Sequence, residues 1–253
     1  MRCAADHERT TLYCLPYAGG SARVYAGWAR ELPDWIEIRP LELPGRGLRF
    51  DEPPHTAMEP LVAELRDTVC AAPPLPFAVF GHSLGGMLGY ELVRRLQEHD
   101  RPAERLFVAG AGAPHLPRRK PAHHLDVAGF RAHLAELGGT PPEILANDEL
   151  MDLLLPVLRA DFTLADTYQG LPGPDLACPL VAAAGERDPD APPADVAAWR
   201  RYAPRGFAFH VLPGDHFFLD SARAELLGLI VAALCPGCAT AAPASTNREV
   251  ATS

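Results

Sequence analysis

The residue types best suited to chemistry in this chain are one serine, one histidine and a few carboxylates, and their spacing points to nucleophilic catalysis. Ser83 is the centre of Gly81-His82-Ser83-Leu84-Gly85, a G-x-S-x-G pentapeptide. The apolar run Pro76-Phe77-Ala78-Val79-Phe80 precedes it and a helical pattern from Met87 to Leu96 follows, so the segment reads as strand, tight turn and helix with the serine at the apex. Such an elbow needs glycine on both flanks, because strand and helix approach so closely that side chains would collide, and it forces the serine into strained backbone geometry. Three fixed residues are weak evidence alone; the strand before and the helix after carry the specificity.

A serine hydroxyl is a poor nucleophile at neutral pH without a base in hydrogen-bond reach, itself oriented by an acid. In folds built around this elbow the histidine comes last. His216 fits, lying in Leu212-Pro213-Gly214-Asp215-His216-Phe217-Phe218 between the last apolar strand and the final helix. His210 lies within that strand, His82 at the buried position of the elbow, and His123 and His124 in a long insertion; these read as structural or solvated. The acid belongs at the end of one of the two strands after the elbow. The first ends in Ala109-Gly110-Ala111-Gly112-Ala113-Pro114, which has no carboxylate, and the second in Gly185-Glu186-Arg187-Asp188-Pro189-Asp190. Asp188 is the assignment, with Asp190 and Glu186 as competitors, while Asp215 is expected to point away. For the oxyanion, one donor is the backbone amide of Leu84 at the helix N-terminus; the other comes from the loop Pro16-Tyr17-Ala18-Gly19-Gly20-Ser21, where Ala18 is chosen and Tyr17 and Gly19 stay open.

These residues must be held by an α/β framework. Short apolar strands are expected at 11–15, 36–41, 77–80, 106–109, 180–184 and 207–212, and helices at 24–32, 57–70, 87–98, 194–202 and 221–234. Near-continuous apolar strands separated by helices mean a mainly parallel sheet covered on both faces. The seventy residues 110–179 exceed what one crossover helix requires, so a helical insertion is expected at about 115–170. Its apolar faces, Phe130, Leu134 and Leu137 in one helix and Leu150, Leu153, Leu154, Val157, Leu158 and Phe162 in the next, read as a lid whose underside forms an acyl channel above Ser83, with Leu154 and Leu158 as substrate contacts.

Composition narrows the class. A chain of 253 residues with 48% hydrophobic residues suits a single domain over 1–235, followed by a polar Ala/Pro/Ser/Thr tail, 236–253, expected to be disordered. The N-terminus has no apolar export signal, and the longest C-terminal apolar run, Leu226 to Cys235, is about half a membrane span. Six cysteines lack a framework spacing, so a reduced, cytoplasmic protein is expected, and Cys235-Pro236-Gly237-Cys238 has no second pair to complete a metal site. A net charge of -9 argues against nucleic acid.

The chain resembles the type II thioesterases that accompany modular polyketide synthases and nonribosomal peptide synthetases. The resemblance runs from about Leu12 to about Leu234 and is carried by Leu15 to Ala22, Leu43-Pro44-Gly45-Arg46-Gly47, Gly81 to Gly86, Gly138-Gly139-Thr140-Pro141, Leu158-Arg159-Ala160-Asp161-Phe162 and Gly214 to Phe218. The P-G-R-G turn and the R-A-D-F stretch serve no general hydrolase purpose, which makes them more discriminating than the serine motif. Where the family more often has methionine after the nucleophile this chain has Leu84, and the tail has no counterpart. The resemblance implies an α/β-hydrolase fold, the triad Ser83, Asp188 and His216, the insertion as lid, and hydrolysis of acyl thioesters from the phosphopantetheine arm of acyl or peptidyl carrier proteins; a monomer is expected. No metal or bound cofactor is implied, since the pantetheine belongs to the substrate. Arg118-Arg119-Lys120 is the candidate dock for an acidic carrier, against the reading of a solvated charge run. A small-molecule carboxylesterase and a non-catalytic carrier-binding module are the alternatives.

Overall fold

The computed structural model describes residues 9–235, so the tail from 236, Cys238 included, lies outside the described residues. Six strands, β1 (Thr10–Leu15), β2 (Ile36–Pro40), β3 (Phe77–His82), β4 (Arg105–Ala109), β5 (Leu180–Gly185) and β6 (Phe207–Leu212), pair in the order β2-β1-β3-β4-β5-β6. Every pairing is parallel. The C-terminal ends of the strands therefore share one edge, where the loops that follow them meet.

The pleat sorts the apolar strand residues to two faces. Tyr13, Leu15, Val79, Leu106 and Val108 pack with α1 (Met58–Cys70) and α2 (Leu84–Gln97). Leu12, Cys14, Ala78, Phe80 and Phe107 face Tyr25, Trp28 and the last helix. That opposite layer has an edge-to-face aromatic cluster, with Trp28 lying 4.9 Å from Tyr25 and 5.0 Å from Phe80 between centroids. Each such pair adds ~0.5–1.5 kcal/mol beyond area burial. The Tyr25 hydroxyl donates to the Leu15 carbonyl at 2.6 Å, so a buried polar group is satisfied where β1 hands over to the loop that follows.

Three expected helices differ in detail. Residues 24–32 form two 3₁₀ turns, Ala22–Tyr25 and Trp28–Arg30, separated at Gly27, where glycine disfavours a continuous helix by about 1 kcal/mol relative to alanine. The 194–202 stretch is a short helix α6 (Pro193–Ala197) that tightens into a 3₁₀ run, Ala198–Tyr202. The last helix is broken at Ala222 into α7 (Phe218–Ser221) and α8 (Arg223–Leu234).

The insertion between β4 and β5 holds α3 (Val127–Leu137), α4 (Pro142–Leu145) and α5 (Asp148–Thr167). Asp126 caps α3 by accepting from the Gly129 amide, Gly138 closes it at φ 84°, and Asn147 caps α5 by accepting from the Leu150 amide. Phe130, Leu134, Met151, Leu158 and Phe162 make a separate apolar cluster within the insertion. Of the residues expected on the channel face of α5, Leu150 is 41% exposed, while Leu153, 52% exposed, lies on the wall of an open apolar cavity beneath the insertion. At its far end α5 is tied to the elbow helix: buried Glu91 accepts from the Tyr168 hydroxyl at 2.6 Å, the Leu171 amide at 2.9 Å and Arg94 Nη1 at 2.7 Å.

Candidate active site

Ser83 sits between β3 and α2 with φ 54° and ψ -117°, one of two non-glycine residues at positive φ among the described residues. Such a conformation persists only where the surroundings over-determine it. The flanking glycines show how: a Cβ on Gly81 would lie 1.9 Å from the Gly85 carbonyl oxygen, and one on Gly85 would lie 2.1 Å from that of Leu15. Strand and helix thus meet at backbone contact, leaving the serine at the apex.

The ends of β5 and β6 bring the other groups to it. His216 Nε2 lies 3.1 Å from Ser83 Oγ, and His216 Nδ1 lies 2.8 Å from Asp188 Oδ2. All three residues are buried. Burial alone would push the Asp188 carboxyl up, but the hydrogen bond and charge of His216 and the amides of Ala191 and Asp190 outweigh it and hold Asp188 below the usual aspartate value. An ionised Asp188 accepts a hydrogen bond from Nδ1–H, which leaves Nε2 free to accept from the serine. Asp190 contributes its backbone amide to Asp188 Oδ1 at 2.9 Å, and its side chain lines the adjoining cleft. The side chains of Glu186 and Arg187 pair at the surface, and Asp215 is exposed and accepts from the Phe217 amide.

The loop after β1 forms a turn, with the Gly20 amide donating to the Tyr17 carbonyl at 2.9 Å. The Gly19 amide is committed to Asp161 Oδ2 at 2.7 Å, which removes it as an oxyanion donor. Among the described residues the Ala18 amide has no protein acceptor, and neither does the amide of Leu84, the first residue of α2.

Two cavities meet here. The smaller one holds Ser83 and His216; the larger, about 530 Å³, is lined mainly by apolar residues of α3, α5 and the loops after β1 and β2. Leu154 and Leu158 line the larger one, and Tyr17, Ala18, Leu137, Phe162 and Phe217 are walls of both. Gly139 of the G-G-T-P turn permits this closeness, since a Cβ there would lie 2.1 Å from the Phe217 ring. The arrangement can attack an acyl carbon at Ser83 while an apolar tail lies alongside under the insertion.

The basic run is not a free cationic surface. Arg119 forms a bidentate pair with Asp195 at 2.6 and 3.0 Å, Lys120 donates to Glu136 at 2.5 Å, and half-buried Arg118 lies 3.9 Å from Asp166. All three line the smaller cavity beside Ser83, so they flank the approach to the serine with largely compensated charge. Among the described residues no three His, Cys, Asp or Glu side chains cluster to hold a metal, and no helix is long and apolar enough to cross a membrane.

Sequence reading passed over the roles of Arg46, Arg159 and Asp161, although their motifs stood out. Arg159 donates to the Leu125 carbonyl at 2.5 Å and the His123 carbonyl at 3.2 Å, and lies 4.4 Å over the Phe130 ring. Asp166, two helical turns further on, accepts from the amides of Ala122 and His123. These contacts fasten the start of the insertion to α5.

A parallel sheet whose third strand ends in a strained serine, with histidine and carboxylate supplied by the last two strands, defines an α/β-hydrolase. Residues 10–234 match the family model described as a thioesterase domain, and the chain belongs to the thioesterase family. It is 41% identical over 228 residues to the linear gramicidin dehydrogenase LgrE of Brevibacillus parabrevis, covering 88% of this chain and 87% of that one. The dehydrogenase name belongs to that protein alone; the matching family model and the similar solved structures are of thioesterases. The RedJ thioesterase of the prodiginine pathway in Streptomyces coelicolor superposes with a TM-score of 0.81 at 37% identity, covering 89% of this chain and 86% of that one. YbtT, a type II thioesterase from the yersiniabactin NRPS/PKS pathway, superposes with a TM-score of 0.82 at 30% identity, covering 90% and 94%.

Proposed function

We propose that the protein hydrolyses acyl thioesters carried on the phosphopantetheine arm of acyl or peptidyl carrier proteins, clearing stalled or aberrant chains from a polyketide or nonribosomal peptide assembly line. The observation that carries this reading is the hydrogen-bonded series Asp188–His216–Ser83 opening onto a cleft that shares its walls with an apolar cavity of about 530 Å³. The relatives from such pathways supply the substrate class.

In this reading Ser83 Oγ attacks the thioester carbon as its proton passes to His216 Nε2, and Asp188 stabilises the imidazolium. The amides of Leu84 and Ala18 donate to the tetrahedral oxyanion. Collapse breaks the carbon–sulfur bond, and the thiol leaves with the proton from His216. A thiol pKa near ~8.5 makes that protonation undemanding. Water, deprotonated by His216, then attacks the acyl-serine, and the second collapse returns the proton to Ser83 and frees the acid. Leu154 and Leu158 contact the acyl chain. The chemistry calls on no metal or bound cofactor, and the protein acts as a monomer.

Intact mass spectrometry of acyl-loaded carrier proteins tests the reading. Loss of the acyl mass with wild-type protein and its retention with Ser83→Ala is the expected result. Cleavage of free esters with untouched carriers would install a carboxylesterase instead, and failure of a fluorophosphonate probe to label Ser83 would install a non-catalytic carrier-binding module.

A further inference from the structure

The P-G-R-G turn and the R-A-D-F stretch, far apart in the chain, meet beside the oxyanion loop. Arg46 and Asp161 form a bidentate ion pair, Nη1 to Oδ2 at 2.5 Å and Nη2 to Oδ1 at 2.8 Å, with side chains only 8% and 2% exposed. Both partners also hold the loop after β1. Asp161 Oδ2 accepts from the Gly19 amide at 2.7 Å, and Arg46 Nη1 donates to the Gly20 carbonyl at 3.2 Å. Arg46 is itself fixed to its turn by donating to the Pro44 carbonyl from Nε and Nη2. Leu158, one helical turn before Asp161, packs onto the same loop: Gly19 has φ 76°, and a Cβ there would lie 2.4 Å from Leu158 Cδ2.

We infer that the Arg46–Asp161 pair is a positioning device for the oxyanion hole, which makes helix α5 of the insertion a supporting wall of the loop that presents the Ala18 amide. This rests on the hydrolase reading above. Asp161 sequesters the Gly19 amide and Arg46 secures the carbonyl of Gly20, so the turn is clamped immediately after Ala18, whose own amide has no protein acceptor among the described residues. The arginine has a second task. A carboxylate this close to a forming alkoxide would repel it in a water-poor site, and the planar guanidinium cancels that charge through two parallel hydrogen bonds. A lysine could match the charge but not the fork that also reaches the loop carbonyl.

The test compares a ligand that forms an oxyanion with one that does not. In an acyl trifluoromethyl ketone, Ser83 Oγ bonds to the carbonyl carbon, the hydroxyl proton passes to His216, and the carbonyl π pair becomes an alkoxide in the oxyanion site. A thioether analogue of the same acyl chain forms no such adduct. Asp161→Asn and the paired Arg46→Met/Asp161→Leu variant, which removes both buried charges and so spares the fold, should lower kcat ~10- to 100-fold and weaken the trifluoromethyl ketone by the same factor. Thioether binding should stay within about twofold of wild type. Unchanged ketone affinity in the paired variant overturns the inference, and so does equal weakening of both ligands, which would assign the pair to packing alone. A wild-type protein that neither binds the ketone nor labels with a fluorophosphonate removes the hydrolase reading itself, an outcome distinct from both.

Discussion

The ring of His82 holds the backbone of His216: its Nε2 donates to the His216 carbonyl at 2.8 Å, and the two rings lie 5.3 Å apart. The residue before the serine and the histidine beside it are thereby joined through a hydrogen bond that requires the Nε2–H tautomer. Burial, with the nearby charge of His216, lowers the His82 pKa from 6.5 to about 3, so the ring stays neutral in the folded protein.

That shift has a stability consequence. Because the folded-state pKa is below the unfolded value, the unfolded chain takes up a proton first as pH falls. The contribution of His82 is full above pH 6.5 and is lost progressively down to about 3. Between 6.5 and about pH 5 this amounts to about 2 kcal/mol. Urea unfolding of wild type and His82→Gln at a series of pH values should show a steeper acid loss in the wild type; parallel curves would dismiss the assignment.

The acid can be settled by paired substitutions. Asp188 Oδ2 faces His216 Nδ1 whereas Asp190 reaches Asp188 only through its backbone amide. Asp188→Asn should cost about 10,000-fold in kcat by imposing the wrong tautomer, and Asp190→Asn should cost less than about tenfold. A reversed order, measured as kcat on one thioester, would transfer the role to Asp190.

Leu154 and Leu158 line the same cavity but differ in what stands behind them. Leu158 already contacts Gly19, so Leu158→Trp should press on the oxyanion loop and reduce turnover of every acyl length. Leu154→Trp should spare acetyl and slow longer chains, with each excluded methylene worth ~1 kcal/mol. Carriers loaded with acetyl, hexanoyl and decanoyl groups separate the two; identical chain-length profiles for the two variants would refute the distinction.

Carrier recognition should appear in kcat/KM. A carrier-bound acyl group is expected to react with higher kcat/KM than the same group on a short thiol mimic, because contacts remote from the thioester supply binding and orientation. Arg119 and Lys120 are already paired with Asp195 and Glu136, so reversing them to glutamate should weaken carrier turnover modestly, by less than about tenfold, and mainly at low salt. A large effect on the mimic as well would place these side chains in the cleft's chemistry instead of at a docking surface.

Much of the framework is local and was therefore readable. Strand Phe77–His82, helix Leu84–Gln97 and the glycine-flanked Ser83 follow from an apolar run, a turn and a 3.6-residue period, all within a few neighbours. The alternation of such units with helices was enough to call for a parallel sheet, and the order of the chain suggested which strand ends carry a histidine and a carboxylate. Helix continuity at Ala222 and the exposure of Leu150 were set instead by what each segment packs against. The same limit applied at the site. Choosing Ala18 over Gly19 required knowing that Asp161, 142 residues later in the chain, accepts the Gly19 amide. Recognising that the Arg118-Arg119-Lys120 run is charge-compensated required Asp195, Glu136 and Asp166 to be placed opposite it. Periodicity and turn chemistry report on backbone conformation within an element; a hydrogen bond or ion pair between distant segments exists only after the sheet has brought their ends to one edge, and that distance is a property of the tertiary structure alone.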